Sequence, residues 1–159
     1  MSSFMIRELT SADLPKLMDG AATFYEEGKM PGPFCPETFV HSWTGLLTPI
    51  QKADGNVAPP VGLMLGVEDQ GEILGAIAGT IWPDLNTRKV HATELFWFVK
   101  PGHRGHGVRL LLEFEKAARE RGADRIWMVH LIDLNDAEMA NLYARLGYRL
   151  VEKVYWKDL

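Results

Sequence analysis

The sequence predicts an α+β fold built on a central mixed, mostly antiparallel sheet, and three observations carry that expectation. Three apolar stretches, Val61 to Val67, Ile73 to Trp82 and about Lys89 to Val99, follow one another through short polar turns, as consecutive antiparallel strands do. Extended and helical patterns then alternate to the end of the chain, which implies a crossover with at least one parallel pairing. Between the two halves lies Val99-Lys100-Pro101-Gly102-His103-Arg104-Gly105-His106-Gly107-Val108-Arg109, a basic, glycine-rich turn from strand into helix.

The elements follow in order. Phe4 to Leu9 is a short apolar strand, and Thr10-Ser11-Ala12-Asp13 behind it supplies the side-chain oxygens of a helix start, with Pro15 tolerable in the first turn. Leu14, Leu17, Met18, Ala21 and Tyr25 recur at helical spacing up to Gly28. Met30 to Pro33 is a loop, and Phe39, Val40, Trp43, Leu46 and Leu47 mark a second helix face beginning near Pro36. Gln51 to Pro60 is the most loop-like segment of the chain. After the three central strands, Val108, Leu111 and Leu112 define a helix that Gly122 stops. Arg125 to Ile132 is a strand. Asn135 with Glu138 resembles a capping pair, and Met139, Leu142, Tyr143 and Leu146 share one face of a helix that ends at Gly147. Tyr148 to Trp156 closes the chain as a strand.

Composition bounds the function. The 159 residues suit a single domain, 1–159, and 47% hydrophobic with 24% charged residues is an ordinary globular balance. The net charge of -4 argues against a nucleic-acid partner, which calls for a basic surface, and fits a cationic substrate. Cys35 is the only cysteine, so neither an internal disulfide nor a multi-cysteine metal site can form. No apolar run spans a membrane and no leader-like segment precedes the first strand, so the expected location is cytoplasmic.

The glycine-rich turn points to an anion. Gly105 and Gly107 let backbone approach a ligand where a helix begins, and a helix start offers unpaired N–H groups and the positive end of the dipole. Phosphate suits such a site. A mononucleotide loop would need Lys and then Ser or Thr at the helix start, whereas Gly107 is followed by Val108-Arg109. A dinucleotide fold would usually place this turn after the first strand of a parallel sheet rather than after a meander. His103 and His106 beside Arg104 are too poor in partner ligands to argue for a metal.

On these residues the chain resembles the GCN5-related N-acetyltransferase (GNAT) superfamily along essentially its whole length. Arg104-Gly105-His106-Gly107-Val108 matches five positions of that family's phosphate loop, and Arg109 stands where a small residue is usual. A second block, Asn135, Tyr143, Gly147 and Tyr148, matches in the same order and at a suitable interval. The resemblance implies a sheet with helices on both faces and acetyl transfer from acetyl-CoA to a primary amine of a small molecule or protein, by direct attack. It implies no resident metal. Another acyl donor is the variant on the same fold, and a catalytically idle CoA-binding or protein-interaction module is the alternative from another class. The pyrophosphate is expected on Arg104, Gly105, His106, Gly107, Val108 and Arg109, the acetyl carbonyl at a backbone N–H near Phe98 or Val99, and Asn135 also beside the cofactor.

By its place in the second block Tyr143 matches the family's usual acid, and since a phenol and an alkyl thiol have comparable proton affinity a tyrosine suits protonation of a departing thiolate; packing with Met139, Leu142 and Leu146 is the alternative role. Glu94, a lone carboxylate in the aromatic strand before the loop, is the candidate base, since burial raises a carboxyl pKa toward a useful range; a solvent-facing edge position and a contact to the substrate ammonium are its alternative roles. His91 and His130 are rival bases. Tyr25, Phe34, His41 and Trp43 fall where the family's first two helices usually line the acceptor pocket, and core packing accounts for most of them as well. The acceptor and the oligomeric state are unreadable from the sequence, although a homodimer is common among similar proteins.

Overall fold

In the computed structural model, which describes residues 4–159, the chain opens with β1 (Met5–Glu8) and a 3-10 segment (Ser11–Leu17) that leads into α1 (Met18–Glu27). Pro15 accounts for the difference from the expected single helix, because a proline without an N–H cannot sustain an α-helical ladder around it. Then follow α2 (Pro36–Leu46), β2 (Ile50–Gln51), β3 (Val57–Ala58), β4 (Gly62–Asp69), β5 (Glu72–Pro83), β6 (Val90–Val99), α3 (Gly107–Glu120), β7 (Arg125–Trp127) and α4 (Asp136–Arg145). The chain divides into two compact units, Met1–Val129 and His130–Leu159. Among the described residues no helix is long and apolar enough to cross a membrane.

The first unit holds a five-stranded sheet in the order β1-β4-β5-β6-β7. Every neighbouring pair is antiparallel except β6 with β7, which run parallel through the α3 crossover. β2 and β3 form a separate two-stranded ribbon inside the segment that composition marks as loop. On one face Phe96 and Phe98 meet α1 and α2: the Phe96 ring lies 5.4 Å from Trp43 and 5.7 Å from Phe39, and Phe98 fills the space beside Gly20. On the other face α3 buries Gly107, Leu110, Leu111, Phe114 and Ala118.

That stripe corrects the face expected for α3, since Val108 and Leu112 are 39% and 46% exposed. The helix starts with Gly107 pressed against Trp97 of β6, and positions three, four, seven and eleven residues on then face the sheet.

The first strand is tied to the turn behind it by charge. Asp13 accepts the Thr10 N–H at 3.0 Å and two Arg7 guanidinium hydrogen bonds at 3.0 and 2.7 Å, while Arg7 Nε donates to Glu68 at 2.8 Å. The Arg7 guanidinium holds the Asp13 carboxyl down at about 2, below its usual 3.8. A depressed carboxyl stabilises the fold above its unfolded pKa, and that contribution fades as pH falls through the folded value. Asp13→Ala is therefore expected to cost about 2 kcal/mol at pH 7, and the gap from the parent narrows to about half by pH 3. Urea unfolding at the two pH values checks it.

The second unit contains α4, whose half-buried positions include Met139, Leu142 and Tyr143, with Leu146 just past its end, as the 3.6-residue spacing predicts. The expected capping pair does not form. Asn135 takes a left-handed conformation, φ 50°, and shapes the turn through its backbone, its carbonyl accepting the Met139 N–H at 3.0 Å. The closing strand expected at 148–156 is absent too, and Leu150, Val151, Val154, Tyr155 and Trp156 are exposed. β propensity describes a fit to a neighbouring pleated surface rather than an intrinsic backbone state, and no ladder partner for this segment exists among the described residues.

Candidate functional site

The site grows from the place where two strands part. β7 pairs with β6 only at His91, Ala92 and Thr93, opposite Arg125, Ile126 and Trp127. From Glu94 to Val99, β6 keeps β5 on one side, and no described strand pairs with its other edge. A free strand edge presents N–H and C=O groups that an extended amide-bearing ligand can engage. The register against β5 also slips here: Gly79 faces Glu94 and Ala78 faces Phe96, so Leu95 is a bulge residue without a partner.

Glu94 stands at the parting. It is only 4% exposed, and its Oε2 accepts the Val129 N–H at 2.9 Å, a side chain taking over where the backbone ladder has stopped. Burial pushes its carboxyl up to about 8, against the smaller opposing effect of that hydrogen bond. The sequence anticipates the direction but not the depth of burial. The rival histidines have acidic neighbours: His91 Nε2 lies 3.3 Å from Asp84 and His130 Nε2 3.1 Å from Asp136.

Beyond Val99 the chain turns sharply into α3. Lys100 is pinned by its N–H to the Leu74 carbonyl at 2.8 Å and by its ammonium to Glu72 at 2.7 Å. The His103 N–H donates to the Lys100 carbonyl across Gly102, whose φ of 84° is a conformation that favours glycine. A single 3-10 turn, Arg104–His106, then runs into the helix. A side chain at Gly105 would meet nothing within 4 Å, so the turn is open above its backbone. Arg104 is exposed, 3.9 Å from Glu27, and the His106 ring lies tilted against Phe4 with the ring centres 4.2 Å apart. Val108 and Arg109 are both exposed, so packing does not demand a small residue at 109. An open basic turn at a helix start fits a phosphate group.

Gly107 is needed for a different reason than Gly105. A Cβ there would sit 3.3 Å from the Trp97 indole and 3.7 Å from Val99. Gly107→Val is expected to destabilise the protein by about 1–3 kcal/mol through overpacking. Because it displaces the helix start, it should also weaken any CoA-dependent rise in melting temperature; a thermal melt with and without CoA checks both effects.

Three aromatic residues singled out in the sequence fall into one chain of rings. Tyr25 lies 5.4 Å from Phe34, Phe34 lies 5.6 Å from Phe39, and Phe39 lies 6.3 Å from Trp43. Phe39 is the member that sequence reasoning left out of the site, although its spacing of four from Trp43 was a legible sign. His41 is exposed and has no part in this ring chain.

The remaining candidates belong to the second unit. Tyr143 on α4 packs its ring edge-on to His130 at 6.0 Å and tilted to Tyr148 at 5.4 Å, and Asn135 opens the same helix. Among the described residues no group of acidic, histidine or cysteine side chains is arranged to hold a metal ion.

Comparison with known proteins agrees with this architecture. The family model described as Acetyltransferase (GNAT) family matches residues 24–148. Ribosomal-protein-alanine N-acetyltransferase from Brucella melitensis biovar Abortus 2308 is similar in structure, with 16% identity, a TM-score of 0.70 and 99% of each chain covered. The aminoglycoside N-acetyltransferase AAC(6')-Iy, solved in complex with CoA, has 15% identity and a TM-score of 0.70, covering 100% of this chain and 96% of its own. A protein described as a transcriptional regulator from Bacillus halodurans C-125 has 19% identity and a TM-score of 0.74, covering 99% of this chain and 100% of its own. A comparison with curated proteins gives no match.

Proposed function

Because this chain belongs to the Acetyltransferase (GNAT) family, we propose that it transfers an acetyl group from acetyl-CoA to a primary amine of a small molecule or protein, by direct attack of the amine. The observation that carries this reading is the continuity of β6: its unpaired edge from Glu94 to Val99 runs straight into an open basic turn at the start of α3. One strand edge and one helix start suit a long ligand with amides along its arm and phosphates at its end.

When bound, acetyl-CoA supplies an activated acyl carbon and a thiolate leaving group. The backbone amides of Arg104 to Gly107 hold its phosphates, with the exposed Arg104 and Arg109 side chains adding charge. A backbone N–H at Phe98 or Val99 polarises the thioester carbonyl. Glu94, with its carboxyl raised to about 8, accepts the proton that the attacking amine must lose, directly or through a water. The Tyr143 hydroxyl donates a proton to the sulfur as it departs, and Asn135 flanks the cofactor.

Neighbours described as aminoglycoside and ribosomal-protein acetyltransferases support N-acetylation as the reaction class. A thiol-release assay over amines, amino acids, aminoglycosides, polyamines and peptides tests it, paired with thermal melts. Thiol release dependent on an amine is the expected result. A melting shift with acetyl-CoA but no thiol release would favour an idle CoA-binding module, and the absence of any shift would overturn the phosphate-turn assignment.

A further inference from the structure

The ring chain extends past what the core uses. The buried core beneath α1 and α2 includes Trp43 and Phe96, with Phe39 and Phe98 packed against it, whereas Tyr25 and Phe34 are outside that cluster and only half-buried. Their rings nevertheless continue the same contacts, Phe34 on Phe39 and Phe39 on Phe96 at 5.7 Å, and Phe96 stacks at 6.0 Å on Phe98. Carbon surface therefore runs without a break from Tyr25 on α1 and Phe34 in the loop between α1 and α2 to the strand position assigned above to the acetyl group.

Such a wall selects by chemistry. An aryl or compact apolar group gains from edge-on and offset contact with rings, and a single ammonium is tolerated against their faces. A polycation would have to strip water from several charges, which is favourable only where carboxylates replace it. Of the acids flanking these rings in sequence, Glu27 already lies 3.9 Å from Arg104 and Glu37 accepts the Cys35 thiol at 3.5 Å, which leaves the exposed Glu26 beside Tyr25 as one carboxylate for one ammonium rather than a set for several.

We propose that the acceptor is a monoamine carrying an aryl or compact apolar group, seated against Tyr25 and Phe34, rather than a polycationic amine. Its identity as an acceptor rests on the acetyl-transfer reading, so the test separates binding from turnover. Calorimetry on the full chain, with and without CoA, uses 2-phenylethylamine and spermidine as probes, and thiol release from acetyl-CoA is followed with the same two amines. The expected result is binding of phenylethylamine at least ~10-fold tighter than spermidine, with Phe34→Ala weakening phenylethylamine by ~10-fold and leaving spermidine unchanged. Tyr25→Ala provides a second variant with the same expectation. Equal or reversed preference, or unchanged phenylethylamine affinity in both variants, overturns the inference whether or not thiol is released. The expected binding pattern without thiol release upholds the ligand class and overturns acetyl transfer instead.

Discussion

Glu94→Gln is expected to stabilise the fold by about 3 kcal/mol at pH 7 and by almost nothing at pH 4. The carboxyl titrates near 4.5 when the chain is unfolded and at about 8 in the buried site. Below pH 4.5 both states keep the proton and the group is neutral to stability. Between those values the unfolded chain ionises while the folded one does not, so each pH unit favours unfolding, and above about 8 the loss is complete. Glutamine carries no proton to lose, and its carbonyl oxygen can still accept the Val129 N–H. Urea unfolding of parent and variant from pH 4 to pH 9 gives the difference directly, and a gap that does not widen with pH would mean the carboxyl is ionised in the fold. The same substitution should cost activity while it raises stability. The parent's kcat/KM is expected to climb toward pH 8 as Glu94 ionises, and the variant to lose that limb; an unaltered profile removes Glu94 as the base.

Tyr143→Phe is expected to lower turnover by ~10²-fold with little change in acetyl-CoA affinity. The substitution keeps the ring that packs against His130 and Tyr148 and deletes only the hydroxyl. A purely packing role would therefore leave kcat nearly untouched. Single-turnover kinetics beside calorimetry with acetyl-CoA distinguishes the two, and unchanged turnover assigns Tyr143 to the packing of α4 alone.

Local chemistry explains what was legible beforehand. The three central strands, the turn that begins at Pro101-Gly102 and the half-buried face of α4 depend on patterns within a few residues, and each appears where the pattern puts it. The turn from β6 into α3 is equally legible as a turn, because its glycines and Pro101 sit together in one stretch. What escaped depends on partners far along the chain. The burial of Glu94 comes with Val129, 35 residues away, and the rotation of α3 is set by Trp97 against Gly107. The Tyr148 to Trp156 segment has strand-forming side chains but finds no strand to join among the described residues. Asn135 looked like a side-chain cap and instead contributes a backbone conformation.

The unpaired Leu95 decides which side of the sheet is aromatic. With it skipped, Phe96 and Phe98 turn toward α1 and α2 while Trp97 and Val99 turn toward α3. Deleting this one residue would rephase the strand beyond it, carrying both phenylalanines toward α3 and Trp97 to the opposite side, since side chains alternate with a period of two. The chain thus counts to an odd number to keep its rings and its glycine-packed helix apart, and a length change of one at this position is a change of surface chemistry on both sides of the sheet.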